Sequence, residues 1–231
     1  MAARQMKRGL FITLDGPEGS GKSTQAKFLS HFLRKKGFSV VLTRDPGGSP
    51  IAEEIRGLLL DPRYKGLSPF AEMLLYETCR ASLVREIILP ALQKGKIVLC
   101  DRFSDATRVY QGVAGGVPDA LIRRIDQTVC QGLKPDVTFL LDVDSREGLR
   151  RRFKKHQLLD RMEGKPLAFH EAVRGGYKKI AKRESRRVYF ISSSPLEKVK
   201  QVISEKIENV LQRRFGSIRR SKRPSKRTRE S

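Results

Sequence analysis

Along this chain, short apolar runs alternate with longer stretches whose apolar residues recur every three or four positions. Five runs read as strands: Leu10–Leu14, Ser39–Thr43, Ile97–Cys100, Val137–Val143 and Val188–Ile191. Between them, Gln25–Lys36 places Ala26, Phe28, Leu29, Phe32 and Leu33 at helical spacing, and Pro69–Gln93 is a long amphipathic stretch. Further helices are predicted around Asp119–Gln131, around Glu171–Lys182 and near Leu196–Arg214. Short apolar strands separated by helices predict a parallel sheet covered on both faces, an α/β fold of three layers. No internal repeat is present. Ligands of such folds bind beyond the carboxyl ends of the strands, where Asp15, Arg44, Asp101 and Asp142 fall.

The first strand-to-helix turn carries the chemistry. Gly16-Pro17-Glu18-Gly19-Ser20-Gly21-Lys22-Ser23-Thr24 fits G-x-x-x-x-G-K-[ST], and strand, glycine loop and helix follow in the order this phosphate-binding loop requires. Its glycines let backbone N–H groups turn inward around a phosphate, and the helix N-terminus adds partial positive charge. Lys22 can reach the outer phosphates, and the Ser23 hydroxyl can sit on Mg²⁺. The chain therefore reads as a P-loop NTPase fold that binds a nucleoside triphosphate.

Charge adds a second theme. Forty-eight Lys and Arg face 25 Asp and Glu, a net +23 over 231 residues. The segment from Arg213 to Ser231 holds nine basic residues and one acid with little apolar content, which predicts a disordered tail. The rest is still strongly basic, which suits polyanionic ligands. Arg146–Arg161 gathers Arg146, Arg150, Arg151, Arg152, Lys154, Lys155 and Arg161. It reads as a basic lid, about residues 150–165, that lays arginines over a triphosphate. Cys79, Cys100 and Cys130 are widely spaced and match neither a disulfide framework nor a zinc site. The basic residues 1–8 precede one short apolar strand, too short for a signal-peptide core or a membrane span. These features place the protein in the cytoplasm.

Other P-loop classes fit less well. A guanine-reading N-K-x-D run is absent, since the one asparagine is Asn209. The third strand ends in Asp101-Arg102-Phe103, and an arginine directly after the strand-end acid suits a second anion held opposite the P-loop.

At this level the sequence resembles the bacterial thymidylate kinase family, from about Gly9 to Ile207. The P-loop segment, Thr43–Pro50, Glu72–Arg80, Asp101–Phe103 with Tyr110-Gln111-Gly112, and Leu159–Glu163 carry the resemblance, in order. It implies the reaction ATP + dTMP → ADP + dTDP, in service of dTTP synthesis, with Mg²⁺ and a homodimeric enzyme. On that likeness, Gly16, Pro17, Glu18, Gly19, Ser20, Gly21, Lys22, Ser23 and Thr24 hold ATP. Asp15, Ser23 and Asp101 lie by the metal. The acceptor side comprises Asp15, Arg44, Pro46, Tyr76, Arg80, Asp101, Arg102, Thr107, Tyr110 and Gln111. Within it Arg102 grips the monophosphate, Tyr76 stacks on thymine, Arg80 hydrogen-bonds the base and Tyr110 packs on the deoxyribose. Because no arginine occupies the P-loop's variable positions, catalysis falls on Asp15, Lys22, Arg102 and the lid arginines Arg152 and Arg161.

The chain departs from the family's commonest pattern at Asp45 (usually Glu), Phe103 (commonly Tyr or His), Arg108 (usually small or apolar) and Ser192-Ser193 near the adenine pocket. His31, His156 and His170 receive no role. Two alternatives stand beside this reading. One is a kinase for another nucleoside monophosphate; the other is a non-enzymatic P-loop protein binding nucleic acid through its charge. Otherwise nucleic acid is expected to meet only the basic tail, without specificity.

Overall fold

The computed structural model describes residues 9–156 and 159–216. The basic segment 1–8, the tail beyond Gly216 and residues 157–158 of the expected lid lie outside them. The strands are β1 (Leu10–Asp15), β2 (Val40–Arg44), β3 (Ile97–Asp101), β4 (Val137–Leu141) and β5 (Val188–Ile191). The helices are α1 (Lys22–Lys35), α2 (Pro50–Leu60), α3 (Pro69–Leu83), α4 (Leu89–Gln93), α5 (Ser104–Thr107), α6 (Asp119–Val129), α7 (Ser145–His156), α8 (Leu167–Arg183) and α9 (Leu196–Phe215). The strands pair in parallel in the order β2-β3-β1-β4-β5, so the expected α/β sheet is present.

Register sets up the site. Arg44 pairs with Asp101 across β2–β3, Leu14 with Asp101 across β3–β1, and Asp15 with Leu140 across β1–β4. Three charged residues thus emerge side by side from adjacent strand ends. Beneath them, alternate side chains of β1 serve opposite layers. Leu10, Ile12 and Leu14 join Leu29 and Leu33 of α1 and Ile203, Ile207 and Leu211 of α9. Phe11 faces the other way, against Leu83, Val84, Ile88, Leu92 and Phe103. Complete burial of a side chain of that size contributes roughly 2–3 kcal/mol.

Three local features differ from the apolar pattern. First, α1 starts at Lys22 because Gly21 (φ +91°) caps it, so the end of the P-loop forms the helix's first turn. Second, the Pro69–Gln93 stretch is not one regular helix: a π-helical turn, Val84–Ile88, joins α3 to α4. Pro90 follows this turn and has no N–H to continue the ordinary ladder, and the Leu89 N–H instead reaches the Val84 carbonyl. Third, α5 and a π-helical turn, Arg108–Ala114, occupy a stretch for which no helix was expected. This stretch packs on α8 at Gly176, where an added Cβ would meet Val109 Cγ1 at 3.0 Å. The three cysteines are buried and free.

Candidate active site

Beyond the carboxyl ends of the strands lies a cavity of about 890 Å³. The P-loop forms one wall. Two of its glycines are fixed by close approach: a Cβ on Gly16 (φ +139°) would stand 2.1 Å from the Leu141 carbonyl oxygen. One on Gly19 (φ +67°) would stand 2.2 Å from that of Gly148, at the start of the lid helix α7. Lys22 Nζ donates to the carbonyls of Gly16 (3.0 Å) and Pro17 (2.7 Å) and stands 3.4 Å from Ser20 Oγ. Burial pulls its ammonium down to about 8, and nearby Arg102 adds to the effect. Ser23 Oγ donates to Asp101 Oδ2 at 2.5 Å, and Thr24 also lines the cavity.

Asp15 is fully buried at the end of β1. Its Oδ1 accepts from the Tyr177 hydroxyl at 2.9 Å, while Oδ2 has no partner among the described residues. Burial, then the nearby Asp105 carboxylate, pushes Asp15 up to about 7. Arg102 follows β3 in a left-handed conformation (φ +69°), anchored by its N–H on the Leu14 carbonyl at 2.9 Å. Its Nη1 donates to the Gly16 carbonyl (3.1 Å) and the Tyr177 hydroxyl (3.0 Å). Its Nη2 donates to Glu18 Oε1 (2.9 Å) and the Tyr110 hydroxyl (3.1 Å). A guanidinium carries five N–H donors, so Nε–H remains open among the described residues.

Glu18, expected with the ATP-binding loop, turns its carboxylate to Arg102, the arginine expected on the acceptor side. It also accepts from the Tyr110 hydroxyl at 2.5 Å and lies 3.8 Å from His170 Nδ1. Burial works to raise Glu18, yet Arg102, His170, Lys22 and Tyr110 together hold it well below the ordinary carboxylate value.

Arg80 is 1% exposed, at the opposite side of the cavity. Nε donates to Asp45 Oδ2 (2.7 Å), Nη1 to Glu77 Oε1 (2.5 Å) and Asp126 Oδ1 (3.3 Å), and Nη2 to Thr107 Oγ1 (2.7 Å). Tyr76 and Gln111 line the same region, and Gln111 Nε2 donates to Glu72 Oε2 at 3.0 Å. Arg44 reaches Glu53 at 2.7 Å at the rim, and the Pro46 carbonyl accepts from Arg56 at 2.8 Å.

The arginines expected in a lid part company. Arg152 lines the cavity and pairs with Glu163. Arg161 does not line it: its guanidinium, 1% exposed, lies behind the wall on the Leu59 carbonyl (2.7 Å) and the Glu72 carboxylate. Instead Arg151 approaches the P-loop, with Nη1 3.4 Å from the Gly19 carbonyl oxygen. Arg150 and Arg151 both hold Glu147, whose carboxyl falls to about 2 through these hydrogen bonds. Asp142, at a strand end, takes a bidentate contact from Arg174 at 2.8 and 2.9 Å.

Tyr177 is the functional candidate that sequence reading missed, because it sits among core positions of α8 with Val173 and Ile180. The acids around Arg80 were missed as well. The unusual residues find places: Phe103 packs edge-on against Phe11 at 4.9 Å, and Asp45 holds Arg80. Ser192 and Ser193 follow β5 on the surface.

The sequence profile of the family described as Thymidylate kinase matches residues 14–203. Thymidylate kinase from Symbiobacterium thermophilum is 43% identical over 207 residues, covering 89% of this chain and 96% of that protein. The enzyme of the same name from Deinococcus radiodurans is 44% identical over 189 residues, 82% of this chain and 91% of its own. The crystal structure of thymidylate kinase from Ehrlichia chaffeensis superposes with a TM-score of 0.69 at 34% identity, over 89% of this chain and 99% of that one.

Proposed function

The chain belongs to the thymidylate kinase family, and on that premise we propose how its residues divide the work of phosphoryl transfer. The enzyme transfers the γ-phosphoryl group of ATP to dTMP, giving dTDP. Such a transfer needs positioning and charge neutralisation more than covalent help. The acceptor is already a phosphate dianion, so no side chain has to remove a proton. The P-loop backbone and Lys22 take the donor phosphates, and Lys22 exchanges its loop carbonyls for phosphate oxygens. Arg102 takes the acceptor phosphate, starting from its open Nε–H. Arg151 and Arg152 close from the lid. Tyr76 stacks on the base, while Thr107 and Gln111 border it and Tyr110 packs on the sugar.

One observation supports thymine most directly. Arg80 has four of its five N–H groups engaged by Asp45, Glu77, Asp126 and Thr107, leaving one Nη2–H open among the described residues. A single charged donor suits a carbonyl oxygen such as thymine O4 and opposes the amino group of cytosine. Sites built around such a donor discriminate by roughly 10²-fold or more, because the wrong base leaves it unpaired. A coupled ADP-release assay with dTMP, dUMP, dCMP, dGMP, AMP and thymidine tests this. Efficient turnover of dCMP would overturn the assignment of Arg80.

The residues present fit Mg²⁺. Ser23 Oγ, Asp101 and the unpartnered Asp15 Oδ2 offer a few oxygen donors. Among the described residues no group of three or more His, Cys, Asp or Glu forms a full cage. Mg²⁺ commonly keeps several waters and takes the rest of its shell from substrate phosphates. When bound, it would neutralise charge on the β- and γ-phosphate oxygens. Ile51 and Leu58 of α2, Phe70 and Leu74 of α3 and Leu121 of α6 are 38–50% exposed, which supports self-association through these helices as a homodimer. Light scattering of the intact chain checks that state. The three buried, free thiols support a reducing compartment, the cytoplasm.

A further inference from the structure

Behind the acceptor wall lies a cluster of charges that no role above uses. Asp105, 4% exposed, accepts a bidentate contact from Arg187: Nη1 to Oδ2 at 2.8 Å and Nη2 to Oδ1 at 2.9 Å. Arg108 Nη1 adds a contact to Asp105 Oδ1 at 3.2 Å and another to Glu184 Oε1 at 2.7 Å, while its Nε reaches Asp119 Oδ1 at 3.2 Å. Arg187 Nε donates to Glu184 Oε2 at 2.7 Å. At the inner end Arg187 Nη1 donates to Thr138 Oγ1 at 2.8 Å, and Thr138 meets Thr13 at 2.8 Å across β1 and β4. The network ties the 104–114 helical stretch to the start of α6, the turn before β5 and the middle of the sheet.

That stretch has two jobs on two sides. Thr107, Tyr110 and Gln111 line the cavity, whereas Asp105 and Arg108, three residues apart, share the side that meets the network. Its own backbone fixes it weakly: α5 has 4 residues, no side-chain cap, and continues into a π-helical turn. It also begins just after Arg102, whose left-handed backbone (φ +69°) is unfavourable for a residue with a side chain and must be held from outside. Apolar packing of Val109 and Tyr110 sets its distance from α8. A fork of two parallel N–H···O bonds sets orientation as well.

We propose that Asp105 and Arg187 are positioning residues of the phosphoryl transfer: their bidentate pair locks the acceptor-reading segment 102–111 onto the sheet. Arg108 extends the same lock to α6 and Glu184. The inference rests on the assignment of the acceptor side above. A lock of this kind acts on dTMP more than on ATP: the P-loop meets Arg102 at Gly16 and Glu18, but it is also held by Lys22 on its own carbonyls and by the start of α1.

The test is steady-state kinetics of the intact enzyme, dTMP varied at saturating ATP and ATP varied at saturating dTMP, with thermal unfolding of each protein. Asp105→Asn removes the charge, and Arg187→Lys keeps the charge but loses the fork. Each should raise KM for dTMP about tenfold or more while KM for ATP stays within about twofold. The double variant should be little worse than the poorer single one, as for partners in one interaction. A bracing role alone would lower Tm and kcat with both KM values unchanged, and that result, or an equal rise in both, overturns the proposal. If Asp105→Asn does not fold, the outcome for Arg187→Lys decides. Failure of the unaltered enzyme to phosphorylate dTMP would instead overturn the underlying acceptor assignment.

Discussion

Replacing Glu77 by Gln should flatten the dependence of stability on pH. One cation, Arg80, faces three carboxylates: Asp45 at 2.7 Å, Glu77 at 2.5 Å and Asp126 at 3.3 Å. Glu77 is 2% exposed, and its second oxygen has no partner among the described residues. Burial pushes its carboxyl from 4.5 up to about 7, with Asp126 and Asp45 adding to the rise and Arg80 opposing it. The folded protein therefore holds a proton that the unfolded chain releases, so stability is highest below about pH 4.5 for this group and falls as pH rises through 7. At about 1.4 kcal/mol per pH unit, that interval corresponds to a loss on the order of 3 kcal/mol. Gln cannot ionise, and its carbonyl can still accept from Arg80. Urea unfolding at pH 4.5 to 8.5, for both proteins without nucleotide, gives the difference in stability at each pH. Contributions of other groups largely cancel in that difference, which should grow in favour of Glu77→Gln toward high pH. A difference that stays constant across the range would refute the reasoning.

The lid and the buried hydroxyls give sharper kinetic expectations. Arg151→Ala or Arg152→Ala should lower kcat by up to ~10³-fold with little change in Tm, as for a lost arginine finger; single-turnover rates check it. Arg161→Ala should act mainly on stability, because it strips a buried partner from Glu72, and such losses cost roughly 3–5 kcal/mol; denaturant unfolding measures this. Tyr177→Phe removes the hydroxyl joining Asp15 to Arg102 while keeping the ring in the core. It should reduce kcat/KM for dTMP about tenfold, the scale of one hydrogen bond to a charged group, and kinetics with dTMP varied decide it.

What the sequence made legible was local. The P-loop is one contiguous motif whose glycines, lysine and hydroxyls occupy consecutive positions, and the strands announce themselves as apolar runs. Their C-terminal ends then followed from the parallel sheet, so Asp15, Arg44 and Asp101 could be placed together before any coordinates. The partners around the proposed acceptor side are separated in sequence by much larger gaps: Asp45 lies 35 residues from Arg80, Asp105 82 from Arg187, and Tyr177 162 from Asp15. No periodicity encodes such pairs. They are set by which strand ends and helix faces the topology brings together. Arg161 shows the same limit from the other side. Its neighbours in sequence marked it as a lid charge, but α2 and α3 supply a carbonyl and a carboxylate that draw it inward.

The net charge takes on a different meaning once the interior is seen. A basic composition first points to polyanions at the surface, yet several arginines are wholly or largely turned inward. Arg80 and Arg161 are 1 and 4% exposed, and the side chains of Arg102 and Arg187 are each 19% exposed, all four paired with carboxylates. Of the acids they engage, Asp45, Glu72, Glu77 and Asp105 are likewise buried, and Glu18 is largely so. Guanidinium suits this interior role, since its planar fork satisfies several acceptors at once and remains charged when desolvated. Pairing these acids inside removes them from the outer balance of the described residues. The same arrangement therefore does two things. It ties together the wall proposed to read the acceptor, and it shifts the outer balance of charge toward the sign that suits polyanionic substrates.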